Sequence, residues 1–505
     1  MGDNGGPPPE SRIRENFALL AKAFPNAKEI KPSTFTEFYA LLDQPSVRSK
    51  LPVLTSEAGD TWVYGCSSDP RKMALMRLYM RARREHASTE DPMALLNFSR
   101  FLIKASEHTW GSDGRCMEPG SGDTTSWSNE AFEKVRPSHL FKQQEDAWHE
   151  QRAYFTQALD ALGEGSKLGA AIRSGTAALD ALGHTNSSTA TVGMAAVPQP
   201  DWGKDIRLRP PEGEGHGVSL RLSLESGAIV SLVECSSDAC DGGPGGAALP
   251  PQPQWASESQ PLGRFVYRSR SHESGVDYLS RYQYRNAAWG PRVYEKIGVT
   301  SATANETTSH AKVSGMLKNA SAIVVELAPP AFISEIYGGP RQLQLLLSLP
   351  SHAAGLQLHM SIIDKTTTRL PEEGWVEFRP SLSSDASLHI EKLGSMVDPA
   401  DLLVNGSRTL HAVGDEQGVV FADMASRRQL RLISLDAGLV SPGPAADNMD
   451  LYAFPGVLPK PQDGVAFSLW NNLWSVNYVF WYPFTPADAS FGFRFALRFE
   501  SSAYT

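Results

Sequence analysis

Two short acidic and aromatic stretches hold the side chains best suited to chemistry. The first, EAGDTWVY, places Glu57 and Asp60 beside Trp62 and Tyr64; the second, EHTWGSD, places Glu107 and His108 beside Trp110 and Asp113. Paired carboxylates can divide the work of proton donor and base or nucleophile. Glu57, Asp60 and Asp113 are the candidate catalytic carboxylates, with Glu107 as a further one. His108, one loop beyond a helix, is the candidate metal ligand. Trp62, Tyr64 and Trp110 could stack on the C–H face of a hydroxyl-rich ligand. Each has a structural alternative: Asp60 as a turn residue after Gly59, the aromatics as core packing, and His108 as a helix cap bonded to a carbonyl.

The elements that must position these loops follow from local signals. Leu51, Val53 and Leu54 form a short apolar run that reads as a buried strand ending at Glu57, and α/β folds place their chemistry at the carboxyl ends of strands. Upstream, Ile13, Phe17, Leu20 and Phe24 fall at helical spacing over residues 12–24, and Ala27 to Ile30 reads as a second strand. Thr34 with Glu37 makes a capping box for a helix over 35–42. Asp69-Pro70 and Asp91-Pro92 each pair an N-cap with proline at the first helical position, opening helices to about Glu85 and Ser106. Another helix is expected over residues 139–162, and residues 163–199 read as partly helical.

From about Asp201 the pattern changes to short, often alternating segments such as VSLRLSLESGAIVSLVE, RQLQLLLSLP and FRFALRFE, punctuated by Gly, Pro and Asp. LSLESGAIVSL reads as a hairpin turning at Ser226-Gly227. Some 300 residues of this kind predict a large antiparallel β-sandwich. Near its end, Trp470, Trp474, Trp481 and Tyr482 are interleaved with Asn471, Asn472 and Asn477. A final strand pair closing the sandwich explains that cluster with fewer assumptions than a ligand site.

The chain has 505 residues with a formal net charge of −9, and its pI is near 5.8. That acidity argues against a nucleic-acid or anionic-membrane partner. No apolar run approaches the roughly 20 residues that span a bilayer, and no signal peptide is visible. Four cysteines include Cys235 and Cys240, which either close a small loop in an oxidising compartment or remain thiols. Five N-x-S/T triplets, at Asn97, Asn186, Asn305, Asn319 and Asn405, favour a secretory history, so localisation stays open.

At GDTWVYGCSSDP, EHTWGSD and the closing NNLWSVNYVFWY, the sequence resembles the domain-of-unknown-function 5054 family, which looks like a distant branch of the glycoside hydrolase family 38 α-mannosidases. LGRFVYRSRS, DKTTTRLPEEGWVEFRP and GSRTLHAV extend the resemblance through the β region. It implies an α+β multidomain fold. A partial (β/α) barrel-like layer would occupy residues 1–115, a helical middle region 116–200, and a galactose-mutarotase-like β-supersandwich 201–505. It implies a glycoside hydrolase-like protein acting on or binding carbohydrate, with zinc as cofactor in intact relatives and His108 matching their late zinc histidine. Enzymes of that superfamily bind zinc through an N-terminal H-x-D motif and use a later Asp as nucleophile and ligand. Neither has a counterpart here, so the expectation is a truncated chain with an incomplete zinc site. The alternative is a non-catalytic carbohydrate-binding or scaffold protein.

Overall fold

The computed structural model describes residues 7–53, 61–107, 124–183, 193–209, 216–236, 254–282, 296–350, 354–401, 410–443, 460–473 and 478–501. The chain divides into two compact units, residues 1–56 and 57–505.

The first unit contains helices α1 (Glu10–Ala23), α2 (Phe35–Leu42) and α3 (Pro45–Arg48). The Thr34–Glu37 capping box forms as the sequence predicts: Thr34 Oγ1 accepts from Glu37 N and the Glu37 carboxylate accepts from Thr34 N. No residue of these helices is buried, and Phe24, Phe35, Phe38 and Leu41 are exposed. Residues 27–30 and 51–53 form no strand. The partial barrel-like layer expected over 1–115 is therefore not seen among the described residues. The physical reason is that a strand is stabilised by a ladder partner, whereas Leu51 and Val53 are 49% and 87% exposed beside none.

The second unit opens with a 3-10 segment, Thr61–Ser68, followed by α4 (Pro70–His86), α5 (Pro92–Ala105), α6 (Asn129–Val135), α7 (His139–Asp160) and α8 (Lys167–Leu182). Both Asp-Pro signals act as read. Asp69 accepts from Lys72 N at 3.0 Å, and Asp91 accepts from Met93 N and Ala94 N at 3.0 and 2.8 Å. Helices α4, α5, α7 and α8 share a core of their own. Tyr79 stacks on Phe98 at 6.0 Å and meets the edge of Phe155 at 5.1 Å, while its hydroxyl donates to Phe155 O at 3.2 Å.

Nineteen strands among the described residues build two antiparallel sheets. The first runs in the order β1 (Ala195–Ala196), β7 (Lys312–Lys318), β8 (Ala322–Ala328), β9 (Gln342–Ser348), β10 (Gly355–Ile363), β19 (Phe491–Ser501), β16 (Arg428–Ser434), β15 (Val419–Asp423), β12 (Ser387–Lys392), β13 (Ser395–Val397). The second runs β14 (His411–Ala412), β17 (Leu439–Pro442), β18 (Val465–Asn471), β11 (Glu372–Phe378), β5 (Leu262–Ser269), β4 (Ile229–Ser236), β3 (His216–Leu222), β2 (Ile206–Leu208), with β6 (Thr307–Ser309) beside β5. β3 and β4 are the predicted hairpin, and Gly227 supplies its positive φ of 66°.

The sheets face each other across one large core. Phe378 and Phe467 of the second sheet meet Phe495 of the first at 5.3 and 5.2 Å. Every residue of β11 and β18 is buried, because other chain segments cover the outer face of these central strands as well. Charges on that outer face are accordingly paired: Glu377 accepts from Arg264 Nε at 2.6 Å and Glu373 from Arg270 Nε at 2.7 Å.

Arginines of α4 fasten the helical layer to the sandwich. Arg77 donates to the carbonyls of Val413, Ser434 and Leu435 at 2.7, 2.6 and 3.2 Å. Arg81 pairs with Asp415 at 2.8 Å and donates to Leu435 O at 2.6 Å. Carbonyls at strand ends have no ladder partner, and a buried guanidinium with five donors satisfies several at once.

Candidate functional site

Of the residues singled out in the sequence, Glu57, Asp60, His108, Trp110 and Asp113 lie outside the described residues, as does the side chain of Trp62. Tyr64 is 1% exposed; its ring sits in the main core and its carbonyl accepts from Asn471 Nδ2 at 2.9 Å. Packing, the structural alternative, is what this tyrosine does here. The described flanks of the two loops do approach one group. Lys72, buried in the first turn of α4, donates to Gln151 Oε1 at 3.2 Å. Burial lowers its pKa from the ordinary 10.5 to about 8, against the opposing pull of Asp69, Cys66 and Glu107. Cys66 closes the first loop region and Glu107 opens the second, so both act on the same ammonium.

Residues of α4, α7 and α8 and of the 482–493 segment line a cavity of about 380 Å³. Local sequence dictates its wall. The Asp69 cap and Pro70 start α4 so that Arg71 falls on the first turn, where it pairs with Asp180 of α8 at 2.5 Å. His149 and Arg152 lie three apart on α7 and share a face. The Arg152 guanidinium donates to both Asp69 oxygens at 2.8 and 2.7 Å and to Asp488 at 2.7 Å, and it lies 4.2 Å from the centre of the Phe484 ring. Burial alone would raise the Asp69 carboxyl. The charge and hydrogen bonds of Arg152, with the Lys72 N–H, instead hold it below the usual carboxylate range. Asp488 also accepts from Thr485 Oγ1 at 3.0 Å.

The aromatic side of the cavity is held by its own backbone. The carbonyls of Tyr482, Pro483 and Phe484 accept respectively from Lys365 Nζ at 2.8 Å, Thr367 Oγ1 at 2.7 Å and Arg136 Nη2 at 2.8 Å. Lys365 is itself buried against Glu372 at 2.5 Å. Burial pushes the Lys365 ammonium down and the Glu372 carboxyl up, each against the other's charge. Trp481 packs on Trp148 at 4.7 Å and on Phe132 at 5.1 Å, behind the wall. The phenol oxygen of Tyr482 is buried with no hydrogen-bond partner among the described residues. At the far end, α8 approaches β19 so closely that a Cβ on Gly183 would lie 2.3 Å from Ser490 O.

Chemically the cavity is a neutral, hydrogen-bonding pocket with aromatic walls. Its two arginines are each paired with aspartates, so no uncompensated charge invites an anion, and the carboxylates of Asp180 and Asp488 are already engaged. Among the described residues no three His, Cys, Asp or Glu side chains gather to hold a metal ion. The described residues therefore supply no zinc ligand set. Sequence reading missed Arg152, Asp180 and Asp488, and assigned Asp69 only its cap. Cys235 is disulfide-bonded and Cys66 is a free thiol. No described helix is long and apolar enough to cross a membrane.

Residues 66–199, which include α4 to α8, match the family model described as a domain of unknown function, DUF5054. The resemblance read from the sequence holds over that stretch. No curated protein matches. Among solved structures, an α-mannosidase from Enterococcus faecalis is similar at 9% identity with a TM-score of 0.40, over 98% of this chain and 62% of that one. This chain thus spans less than two thirds of that protein's length. A GalM/aldose epimerase homologue from C. elegans is similar at 8% identity and a TM-score of 0.29, over 61% of this chain and 99% of that one. A galactose mutarotase-like protein from Lactobacillus casei is similar at 11% identity and 0.31, over 59% and 100%.

Proposed function

We propose that this chain binds carbohydrate in the cavity between α4, α7, α8 and residues 482–493. The observation that carries the reading is the cavity's composition: paired, neutralised Arg71–Asp180 and Arg152–Asp488 groups set beside the rings of Tyr482, Phe491 and Phe493. Such a surface suits a ligand with hydroxyls on its edges and C–H groups on its faces. Titration calorimetry of the full chain against neutral mannosides and galactosides tests it. Saturable binding that weakens in Arg71→Ala is expected; no heat with any neutral sugar overturns the reading.

A hydrolase reading draws on the two carboxylate-bearing loops of the sequence, whose described flanks, Cys66 and Glu107, both bear electrostatically on the buried Lys72. In that reading an α-mannosidase-like glycosidase uses carboxylates of the 57–60 and 107–113 loops, and zinc in intact relatives. The expectation for this chain is no stoichiometric zinc by elemental analysis and no turnover of aryl mannosides. One zinc per chain, or turnover lost in Asp113→Asn, would sink the incomplete-site argument.

A further inference from the structure

The five N-x-S/T triplets are not equivalent in the folded chain. Asn186 and Asn405 lie outside the described residues. Asn97 is half-buried within α5, next to the fully buried Phe98. Asn319 is half-buried in the tight turn between β7 and β8, where its side-chain oxygen accepts from Ser321 N at 3.0 Å and Ala322 N at 2.9 Å. Asn305 differs from both. It is exposed, and its carboxamide makes no hydrogen bond among the described residues.

The neighbours of Asn305 explain why its side chain faces water. Glu306, the middle residue of Asn305-Glu306-Thr307, pairs with Arg268 at 3.1 Å and Arg270 at 3.3 Å while its side chain stays 40% exposed. Ala304, just before it, is fully buried, so the exposed Asn305 begins the solvent-facing side of this segment. The backbone is held as well: Asn305 O accepts from Ser269 Oγ at 2.6 Å, and Thr307 Oγ1 lies 2.8 Å from the same hydroxyl. A rigid, solvent-facing amide thus stands at the start of β6, a three-residue strand paired only with β5 among the described residues.

A second observation concerns compartment. Cys235 is disulfide-bonded, and such bonds form and persist where the surroundings are oxidising, as in the lumen of the secretory route. N-linked glycans are added in that same lumen.

We infer that Asn305 is an acceptor for an N-linked glycan. In the transfer, Asn305 Nδ2 forms a bond to the anomeric carbon of a lipid pyrophosphate-linked oligosaccharide. The bond from that carbon to the phosphate oxygen breaks, the lipid pyrophosphate leaves, and one Nδ2 proton passes to a base of the transferase. A glycan there would cover the outer edge of β6, where unpaired backbone groups otherwise invite another strand.

The test uses the full chain isolated from its native source, treated with a peptide-N-glycosidase in heavy-oxygen water and mapped by mass spectrometry. The expected result is conversion of Asn305 to isotopically labelled Asp, with Asn97 and Asn319 unlabelled. Quantitative recovery of the residue 305 peptide unlabelled overturns the inference, as does label at Asn97 or Asn319 instead. In a secreting host, Asn305→Gln should reduce by one glycan the mobility shift that the glycosidase removes. A shift unchanged in size by the substitution also overturns it. Neither readout depends on the sugar-binding cavity.

Discussion

Arg152 grips Asp69 with two nitrogens, at 2.8 and 2.7 Å, across 83 positions of the chain. Its remaining nitrogen reaches Asp488 at 2.7 Å, 336 positions away. One guanidinium therefore joins the cap of α4, the middle of α7 and the turn before β19. The wall of the cavity depends on that junction.

Replacing Arg152 with Leu strands two buried carboxylates without a counter-charge. Breaking a buried ion pair from one side costs about 3–5 kcal/mol, and the midpoint of urea unfolding should fall accordingly. Arg152→Lys recovers only part of the loss, since an ammonium cannot fork onto both Asp69 oxygens. An unchanged midpoint in Arg152→Leu would show that the junction contributes nothing.

The pH dependence of stability has two limbs with opposite causes. Asp69 titrates lower in the folded chain than its ordinary 3.8, so its contribution is present above that value and lost as pH falls through the folded pKa. Lys72 is lowered from 10.5 to about 8, so between those values the unfolded chain binds more protons and stability rises with pH. Lys296, lowered to about 7 by burial and then by Arg369, adds in the same sense from pH 7 upward. Denaturant melts across pH 7–10.5 should show this climb, and Lys72→Met should reduce its slope above pH 8.

Tyr482→Phe separates folding from binding. The phenol oxygen is buried and unpartnered among the described residues, so removing it should leave stability unchanged or raise it by up to about 1 kcal/mol. That oxygen has no surface a ligand could reach, so saccharide affinity should stay unchanged in Tyr482→Phe, whereas Arg71→Ala, on the cavity wall, should lower it about five-fold, equivalent to one hydrogen bond of about 1 kcal/mol. Thermal melts and calorimetry on the same preparation read both quantities.

Phe98→Ala tests the separate core of the helical layer. Phe98 is fully buried and stacked on Tyr79, and truncations of this kind cost about 3–5 kcal/mol. Loss of that size with unaltered sandwich spectra would mean the layer unfolds locally; a single shared transition would mean both cores melt together.

The helices were legible because their signals are local. Thr34 with Glu37, Asp69 with Pro70 and Asp91 with Pro92 each satisfy backbone donors within three residues. The β region was legible for a similar reason, although β11 and β18 hide their alternation by being covered on both faces. The strands read at 27–30 and 51–55 failed over their described parts because an apolar run specifies burial but not a ladder partner. The cavity was illegible for a different reason. Arg152 looks like any charged residue on an amphipathic helix, and only the fold reveals that Asp69 and Asp488 are its neighbours. Asp69 shows the limit most clearly: the cap was correctly read and hides a second task.

The grasp of Arg77 on the carbonyls of Val413, Ser434 and Leu435 bears on how the polypeptide can be cut. A break near residue 200 severs a covalent link while leaving that hydrogen-bonded clasp, with Arg81 and Arg152 beside it, free to re-form. Pieces spanning 57–200 and 201–505 should behave as complementary halves, each poorly soluble when made apart and recovered as one particle when co-expressed.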